Sequence, residues 1–424
     1  MTNISRRTFN GLVGAAGVLS MAGTLSACTS GPKVVVIGGG FGGATAAKYL
    51  KRYDPNLDVT LIDAGKSHFT CPFSNTVIGG LNDMSYIERK FDVLANKHGV
   101  KVYTDMVVAI DGAAKVVKTQ GGKTFEYDRL VVSPGIDMKW NAIEGYDQAA
   151  SEKMPHAWQA GPQTMLLRKQ LEAMPAGGLV VIAAPGNPFR CPPGPYERAS
   201  LIAGYLKRNK PKSKLLILDS KDAFAKDKLF KEGWEKLYDD IIEWVPASKN
   251  GKVAKVSAKD GVVETDFEKF KPSVANIIPP QQAGKIAITA GLADKSGFCP
   301  IDPNTFESTM VKGIHVIGDA AIAGAMPKSG YSASSQAKVA AAAIVATLRG
   351  EKPGAMSAIN TCYSLLAPDY GISVAAVFNV QDNKIASIAG SGGVSPMGAN
   401  YQFRKKEADF AVGWYQSVCQ DSWA

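Results

Sequence analysis

The sequence predicts an α/β chain of two nested Rossmann-like units, the first interrupted by the second, followed by an α+β unit. Three observations predict it. A β-branched run, Lys33–Ile37, opens directly onto a glycine loop and a helical stretch. The same strand–turn–helix order recurs from Leu179. Far downstream, Gly313–Ala320 reads as a strand ending in Gly-Asp that can rejoin the first sheet. A chain of 424 residues, 46% hydrophobic and 20% charged, has the makeup of a folded globular protein and not of a disordered or polytopic membrane chain. The formal charge of +10 is spread along the chain. That argues against a nucleic-acid surface and suits an anionic small substrate or an acidic partner.

Taken in order, residues 1–28 read as a targeting segment. Arg6-Arg7 lie in Ser-Arg-Arg-Thr-Phe, a twin-arginine export signal, ahead of a Gly/Ala-rich apolar stretch too short to span a membrane. Export by that route implies a periplasmic protein and suits a cofactor loaded before transport. Leu25-Ser26-Ala27-Cys28 fits either a lipobox, which makes Cys28 a lipidated first residue, or an ordinary small-residue cleavage site.

Gly38-Gly39-Gly40-Phe41-Gly42-Gly43 contains G-x-G-x-x-G as Gly38, Gly40 and Gly43. The first glycine makes the turn, the second admits a pyrophosphate, and the third lets the helix from Ala44 to Tyr53 pack on the strand. The next strand, Val59–Ile62, ends at Asp63, where a ribose-binding carboxylate is expected. Short strands around Val107–Ile110, Val116–Lys118 and Phe125–Tyr127 precede Asp128–Val132, which returns to the sheet and ends in Ser133-Pro134-Gly135. Lys328-Ser329-Gly330 opens an Ala-rich helix to about Leu348. This order resembles the disulfide-reductase-like, or glutathione-reductase-like, flavoproteins. The resemblance implies FAD, with Asp319 of Gly318-Asp319 on its ribityl chain and the helix after Gly330 aimed at the flavin pyrimidine.

The second unit repeats strand, helix and strand at Leu179–Ala184, Tyr196–Lys207 and Leu215–Leu218, but its turn reads Pro185-Gly186-Asn187-Pro188-Phe189-Arg190-Cys191-Pro192-Pro193-Gly194-Pro195. Prolines lack the N–H donors that cradle a pyrophosphate. The expectation is that nicotinamide binding is lost and Cys191 is presented instead.

The six cysteines form no C-x-x-C, no haem-attachment pattern and, with the four His, no metal cluster. Their plainest reading is two structural bridges and leftover thiols. The glycine loop, His68-Phe69-Thr70-Cys71, Phe189–Arg198, the Gly-Asp strand and Asn360-Thr361-Cys362-Tyr363 together resemble the flavoprotein subunit of flavocytochrome c sulfide dehydrogenase. The resemblance implies covalent attachment of FAD at Cys71, a redox-active disulfide between Cys191 and Cys362, and Glu197 as an acid/base beside it. Glu197 also reads as a helix-N-terminal carboxylate serving only the dipole. By the same resemblance, hydrosulfide attacks the disulfide, the electron pair passes to the flavin, and a separate cytochrome c subunit, in a heterodimer, takes the electrons. Cys299 is expected as a buried structural thiol; Cys419 is unassigned, and a Cys299–Cys419 bridge stays open. Phe403, Phe410 and Trp414 fall on one face of a helix that packs on its own domain or on the cytochrome, or lies peripherally on a membrane.

The resulting division is 1–28 for the signal, 32–145 and 276–350 for the FAD-binding unit, 146–275 for the second Rossmann unit and 351–424 for a C-terminal interface unit. The expected activity is periplasmic sulfide oxidation coupled to cytochrome c. The rivals are a sulfide:quinone oxidoreductase and a non-catalytic flavoprotein that binds a sulfur-oxidation enzyme.

Overall fold

The computed structural model describes residues 31–424; the expected signal segment, with Arg6-Arg7 and Cys28, lies outside the described residues. The first unit begins with β1 (Lys33–Ile37), α1 (Phe41–Tyr53), β2 (Asp58–Asp63), β3 (Ser67–Phe69), α2 (Ser74–Ile78), β4 (Glu88–Lys90) and β5 (Lys101–Thr104). A three-stranded antiparallel meander follows, β6 (Val107–Asp111), β7 (Val116–Thr119) and β8 (Thr124–Glu126), then β9 (Arg129–Val132). The second unit contains β10 (Leu179–Ala184), α3 (Gly194–Asn209), β11 (Lys214–Asp219), α4 (Asp227–Leu237), β12 (Ile242–Val245) and β13 (Val274–Ile277), in a parallel sheet ordered β12-β11-β10-β13. The chain then returns: β14 (Ile314–Val316) pairs with β9, completing a parallel sheet ordered β14-β9-β1-β2-β5, and α5 (Gly330–Leu348) covers it. The first sheet is therefore discontinuous in sequence, with the second sheet inserted between its last two strands. The C-terminal unit is an antiparallel sheet of β15 (Ser357–Ala367), β16 (Tyr370–Gln381), β17 (Lys384–Ser387) and β18 (Gly393–Val394), closed by α6 (Tyr401–Trp423).

The central strands are continuous apolar runs because parallel sheets are covered on both faces. Val34, Val36, Val180, Val181 and Ile182 are fully buried, and each such side chain contributes about 1.5–3 kcal/mol of transfer free energy. Gly38 takes φ +92°, and a Cβ there would lie 2.3 Å from the Ser133 carbonyl oxygen. A Cβ on Gly43 would lie 1.7 Å from the Gly38 carbonyl oxygen, so only glycine lets α1 sit this close to its own strand. Small residues do the same between helices: Ala44 and Ala47 of α1 and Ala337, Ala340 and Ala341 of α5 have no exposed surface.

Helix α6 is anchored at both ends. Arg404, fully buried, pairs with Glu407 at 3.1 Å and with Glu232 of α4 at 3.6 Å. At the other end the Trp423 indole N–H donates to the Gly39 carbonyl at 3.1 Å, and its ring meets Phe41 edge-on at 4.7 Å. The three aromatics expected on one face of this helix divide. Phe403 and Phe410 are exposed, whereas Trp414 turns inward to stack on Tyr331, with ring centroids 5.9 Å apart. Among the described residues no helix is long and apolar enough to cross a membrane.

Two glycine substitutions separate these roles. Gly43→Ala should destabilise the protein by at least about 1–3 kcal/mol through overpacking. Gly413→Ala, on the exposed face of α6 with nothing within 4 Å of the new Cβ, should instead stabilise it by roughly 0.5–1 kcal/mol. Thermal unfolding of both variants measures the contrast.

Candidate active site

Two adjoining hollows form where the three units meet. One is a cleft of about 520 Å³ over the edge of the first sheet, lined by Gly38–Gly42, Asp63, His68, Cys71, Ser133–Gly135, Gln159, Arg190, Gly318, Asp319 and Gly330. Past Asp63 the cleft runs on into a further hollow of about 550 Å³ that reaches Met106–Val108 on the meander side; the other of the two adjoining hollows is a small pocket lined by cysteines. Asp63 accepts from the backbone N–H of Gly39 at 2.6 Å and of Gly65 at 2.8 Å, so the carboxylate fastens the loop at the end of β2 to the glycine turn.

The cleft fits a flavin dinucleotide on three observations. Its floor is a glycine cradle; on Gly42 a Cβ would come within 2.5 Å of Ser133 Oγ. Asp319 Oδ1 is buried without a hydrogen-bond partner, and burial raises its pKa. Arg190 Nε and Nη2 are likewise buried without partners, with Nε 4.0 Å from Asp319 Oδ2. Buried polar groups are rarely left unmatched, and hydroxyl and phosphate groups are the chemistry that matches a carboxylate oxygen and a guanidinium.

Of the residues expected to hold the cofactor, Gly38, Gly40, Phe41, Asp63, Cys71, Ser133, Pro134, Gly135, Gly318, Asp319 and Gly330 line this cleft. Three do not. Gly43 lies behind the loop, against Gly38. The Lys328 ammonium donates to the Asp319 and Ala321 carbonyls at 2.8 and 2.9 Å, and burial pulls it down to about 8. Ser329 caps α5 by accepting from Ser332 N–H and faces the neighbouring pocket instead.

That pocket is small, about 50 Å³, and Cys71, Cys191, Cys362 and Glu197 share its wall with Asn75, Trp158, Arg198 and Trp414. Cys71, Pro72, Arg190 and Gly330 line both hollows. Cys191 stands in the turn before α3 at φ +85°, a left-handed conformation that costs a non-glycine residue about 1–3 kcal/mol. It is held there by its N–H to the Lys328 carbonyl at 2.9 Å and by its own carbonyl, which accepts from Gly194 N–H at 2.7 Å. Cys362 projects from β15. Burial pushes both thiols up, that of Cys191 well above its ordinary range.

The expected disulfide between Cys191 and Cys362 is not formed in this structure, which holds both as free thiols on one pocket wall. The Cys299–Cys419 bridge is not formed either. Cys299 packs in one core and Cys419 in another, beside Tyr415, each as a buried free thiol.

Glu197, in the first turn of α3, accepts from Asn75 Nδ2 at 2.8 Å and from Leu365 N–H at 2.9 Å. Burial outweighs those bonds and raises its pKa. The next residue, Arg198, is 1% exposed and has no carboxylate at ion-pair distance among the described residues. It donates instead to Asn75 Oδ1 at 3.0 Å, Asn276 Oδ1 at 3.0 Å, the His156 carbonyl at 2.9 Å and the Ala157 carbonyl at 2.6 Å. Burial pulls the guanidinium down to about 10, and the neighbouring cysteines and Glu197 oppose that shift. Asn75, Trp158 and Arg198 were not anticipated as site residues. Arg190 and Arg198 flank Cys191 and Glu197 in sequence, and Asn75 follows Cys71 by four residues; Trp158 carries no such signal.

In the second unit the carboxylate equivalent to Asp63 is Asp219, at the end of β11. It is fully buried and saturated: Tyr196 Oη at 2.5 Å, Lys221 Nζ at 2.6 Å and Trp244 Nε1 at 3.0 Å all donate to it. Phe224 stacks on Tyr196 with ring centroids 3.6 Å apart. Side chains of this chain thus occupy the place where a second dinucleotide ribose would bind.

Fold and site define a flavoprotein with two dinucleotide-binding folds, and the family description "Pyridine nucleotide-disulphide oxidoreductase" matches residues 32–163. The descriptions "Sulfide dehydrogenase [flavocytochrome c] flavoprotein chain, central" and "Flavocytochrome c sulphide dehydrogenase, flavin-binding" match residues 164–279 and 355–423. The chain belongs to the family of flavocytochrome c sulfide dehydrogenase flavoprotein chains. One such chain, from Chlorobaculum thiosulfatiphilum, is 58% identical over 45 residues, which are 11% of this chain and 94% of that sequence. The mitochondrial sulfide:quinone oxidoreductase of Dictyostelium discoideum is 24% identical over 297 residues, 68% of this chain and 65% of that protein's length. In structure, the sulfide:quinone oxidoreductase of Aquifex aeolicus has a similar fold, with TM-score 0.71, 19% identity and 92% of each chain covered.

The saturated Asp219 and the proline-rich turn generate a prediction despite the class name. NADH and NADPH should leave the flavin oxidised under anaerobic conditions. Rapid stoichiometric reduction by either nucleotide, followed in a sealed cuvette, would contradict the reading of the second unit.

Proposed function

We propose that the protein is a periplasmic FAD-dependent sulfide dehydrogenase that passes electrons to a cytochrome c subunit. The observation that carries the reading is the convergence of Cys191 and Cys362, from chain segments 171 residues apart (362 − 191), on a pocket that shares Cys71 and Arg190 with the flavin cleft. Membership in a family named for sulfide dehydrogenase supports the substrate, and Arg6-Arg7 support export by the twin-arginine route. FAD fits the cleft, with Gly38–Gly42, Asp63, Asp319 and Arg190 to hold it, and Cys71 as its covalent anchor.

The working form carries a Cys191–Cys362 disulfide. Hydrosulfide attacks one sulfur; the disulfide bond breaks as a new S–S bond forms, leaving a persulfide on one cysteine and a thiolate on the other. A second hydrosulfide removes the outer sulfur as a disulfane anion, so both cysteines end reduced, with two electrons taken from sulfide. Bound FAD supplies the two-electron acceptor that returns the dithiol to the disulfide and can release electrons singly to a haem. Glu197, held by Asn75 and Leu365 N–H and raised by burial, takes the proton given up by hydrosulfide or thiol. Arg198 and Arg190 oppose the negative charge gathered on the sulfurs.

Two measurements test the reading. Acid precipitation should leave the flavin colour in the pellet for matured wild-type protein and in the supernatant for Cys71→Ser; wild-type colour wholly in the supernatant removes the covalent link. Cys191→Ser and Cys362→Ser should each keep FAD yet lose sulfide-driven flavin bleaching and cytochrome c reduction by about 10³-fold or more. The double variant should lose little beyond that, because residues acting as a unit are non-additive. Turnover near wild type in either folded single variant refutes the relay. Bleaching by sulfide with quinone as the only productive acceptor identifies a sulfide:quinone oxidoreductase instead, and no bleaching at all identifies a non-catalytic flavoprotein.

A further inference from the structure

A half-buried lysine beside the sulfur pocket has no part in that scheme. Lys226 occupies the turn ahead of α4 at φ +63°, as the helix's N-cap. Both features are unfavourable there: a side chain in the left-handed region is strained, and a cation at a helix N-terminus opposes the macrodipole. Its ammonium makes one hydrogen bond, donated to Ser364 Oγ at 2.9 Å, and no ion pair among the described residues. The stem passes Phe230, with Nζ 5.8 Å from the ring centroid.

Ser364 is 1% exposed and lies two residues beyond Cys362 on β15. Alternate residues of a strand share a face, so the ammonium is tethered on the side of the strand from which Cys362 projects.

We propose that Lys226 is a positioning residue of the sulfur relay, its ammonium holding the negative charge that the sulfur on Cys362 carries during turnover. The assignment rests on the sulfide-dehydrogenase reading and deepens it. Attack of hydrosulfide on the Cys191 sulfur breaks the disulfide and leaves Cys362 as the thiolate. Attack on the Cys362 sulfur leaves a persulfide there and Cys191 as the departing thiolate; the persulfide, more acidic than a thiol, gives its proton to that thiolate, and the anion rests on its outer sulfur. Either way one negative charge moves from the free ion to sulfur borne by Cys362, and no further reactant is needed.

The surrounding charges make the cation necessary. Cys362 is faced by Lys226, Glu197 and Cys71; Lys226 is faced by Cys362, Glu197, Cys191 and Glu407. Glu407 is already paired with Arg404 at 3.1 Å. Glu197 is satisfied by Asn75 and Leu365 N–H, so it adds repulsion to any anionic sulfur. Against burial, Glu197 and Cys71, the Lys226 ammonium favours the ionised form of the Cys362 thiol.

The test is pH-dependent iodoacetamide labelling of the dithionite-reduced holoprotein, with the Cys362 and Cys191 peptides read by mass spectrometry, in wild type, Lys226→Met and Lys226→Arg. In Lys226→Met the labelling midpoint of Cys362 should rise by about one pH unit, with a smaller change at Cys191; Lys226→Arg should keep most of the wild-type midpoint. Sulfide-driven flavin bleaching by Lys226→Met should fall about tenfold at neutral pH and recover as the pH rises to the new midpoint. Ser364→Ala, which frees the ammonium, should move Cys362 the same way by less, and it decides the matter should Lys226→Met not fold. A purely structural lysine predicts a lower melting temperature with the Cys362 midpoint unmoved, and that result overturns the proposal. If sulfide leaves the wild-type flavin untouched, the sulfide-dehydrogenase reading fails by itself, and the labelling comparison still decides for or against Lys226.

Discussion

One amide side chain holds the three units of this protein in working register. Asn75, on the short helix after Cys71, donates to Glu197 and accepts from Arg198, two adjacent residues of opposite charge on the first turn of α3. The other Glu197 oxygen accepts from Leu365 N–H on β15. The flavin unit, the second Rossmann unit and the C-terminal sheet are thereby fastened at the point where their cysteines meet. Hydrogen bonds to charged groups are worth about 1.5–3 kcal/mol each, and their loss would strand a buried carboxylate or guanidinium, a larger penalty than the bond itself.

The same junction explains why a pocket hostile to anions can be a sulfur site. Burial opposes ionisation of Cys191, Cys362 and Glu197 alike. The counter-charges are not ordinary ion pairs. Arg198 is bonded to amide and carbonyl oxygens, and Arg190, whose Nε stands 4.0 Å from Asp319, keeps Nε and Nη2 without hydrogen-bond partners. A cation bonded only to neutral oxygens, as Arg198 is, keeps its field for whatever negative charge arrives, whereas one neutralised by a carboxylate would not. The site is organised for charge that appears during reaction and is absent from the neutral thiols of this structure.

How much of this was legible in the sequence follows from the range of each interaction. The glycine loop, Asp63, the Ser133-Pro134-Gly135 strand end and Gly318-Asp319 could be read because local backbone geometry dictates them: Gly38 and Gly43 are glycines for reasons lying within one turn and its neighbouring strand. Loss of the second nucleotide site was legible from missing glycines and intruding prolines, but its completion was not. Tyr196, Lys221 and Trp244 reach Asp219 from three separate elements. Asn75 and Lys226 were invisible for the same reason, since their partners lie 122, 123 and 138 residues away. Lys328 and Ser329 were placed on the cofactor by a local pattern, yet one caps carbonyls and the other caps a helix beside the cysteines. Position along a motif located the segment correctly and said nothing about which way each side chain would turn.

The partition between the two hollows is the last constraint. Only Cys71, Pro72, Arg190 and Gly330 belong to both walls, and each contributes what a boundary between a sulfur pocket and a flavin requires. Gly330 opens α5 and brings its N-terminal end to the boundary, where a Cβ would come within 2.7 Å of Phe41. Pro72 has no N–H to leave unsatisfied in a buried wall. Arg190 adds a guanidinium that can answer charge on either side. Cys71 presents its sulfur to both hollows, and Cys191, one residue from Arg190, lines only the smaller one and is held there by a strained backbone. Four residues shared by both hollows thus keep the cysteine pocket and the dinucleotide cleft apart while leaving them in contact along one boundary.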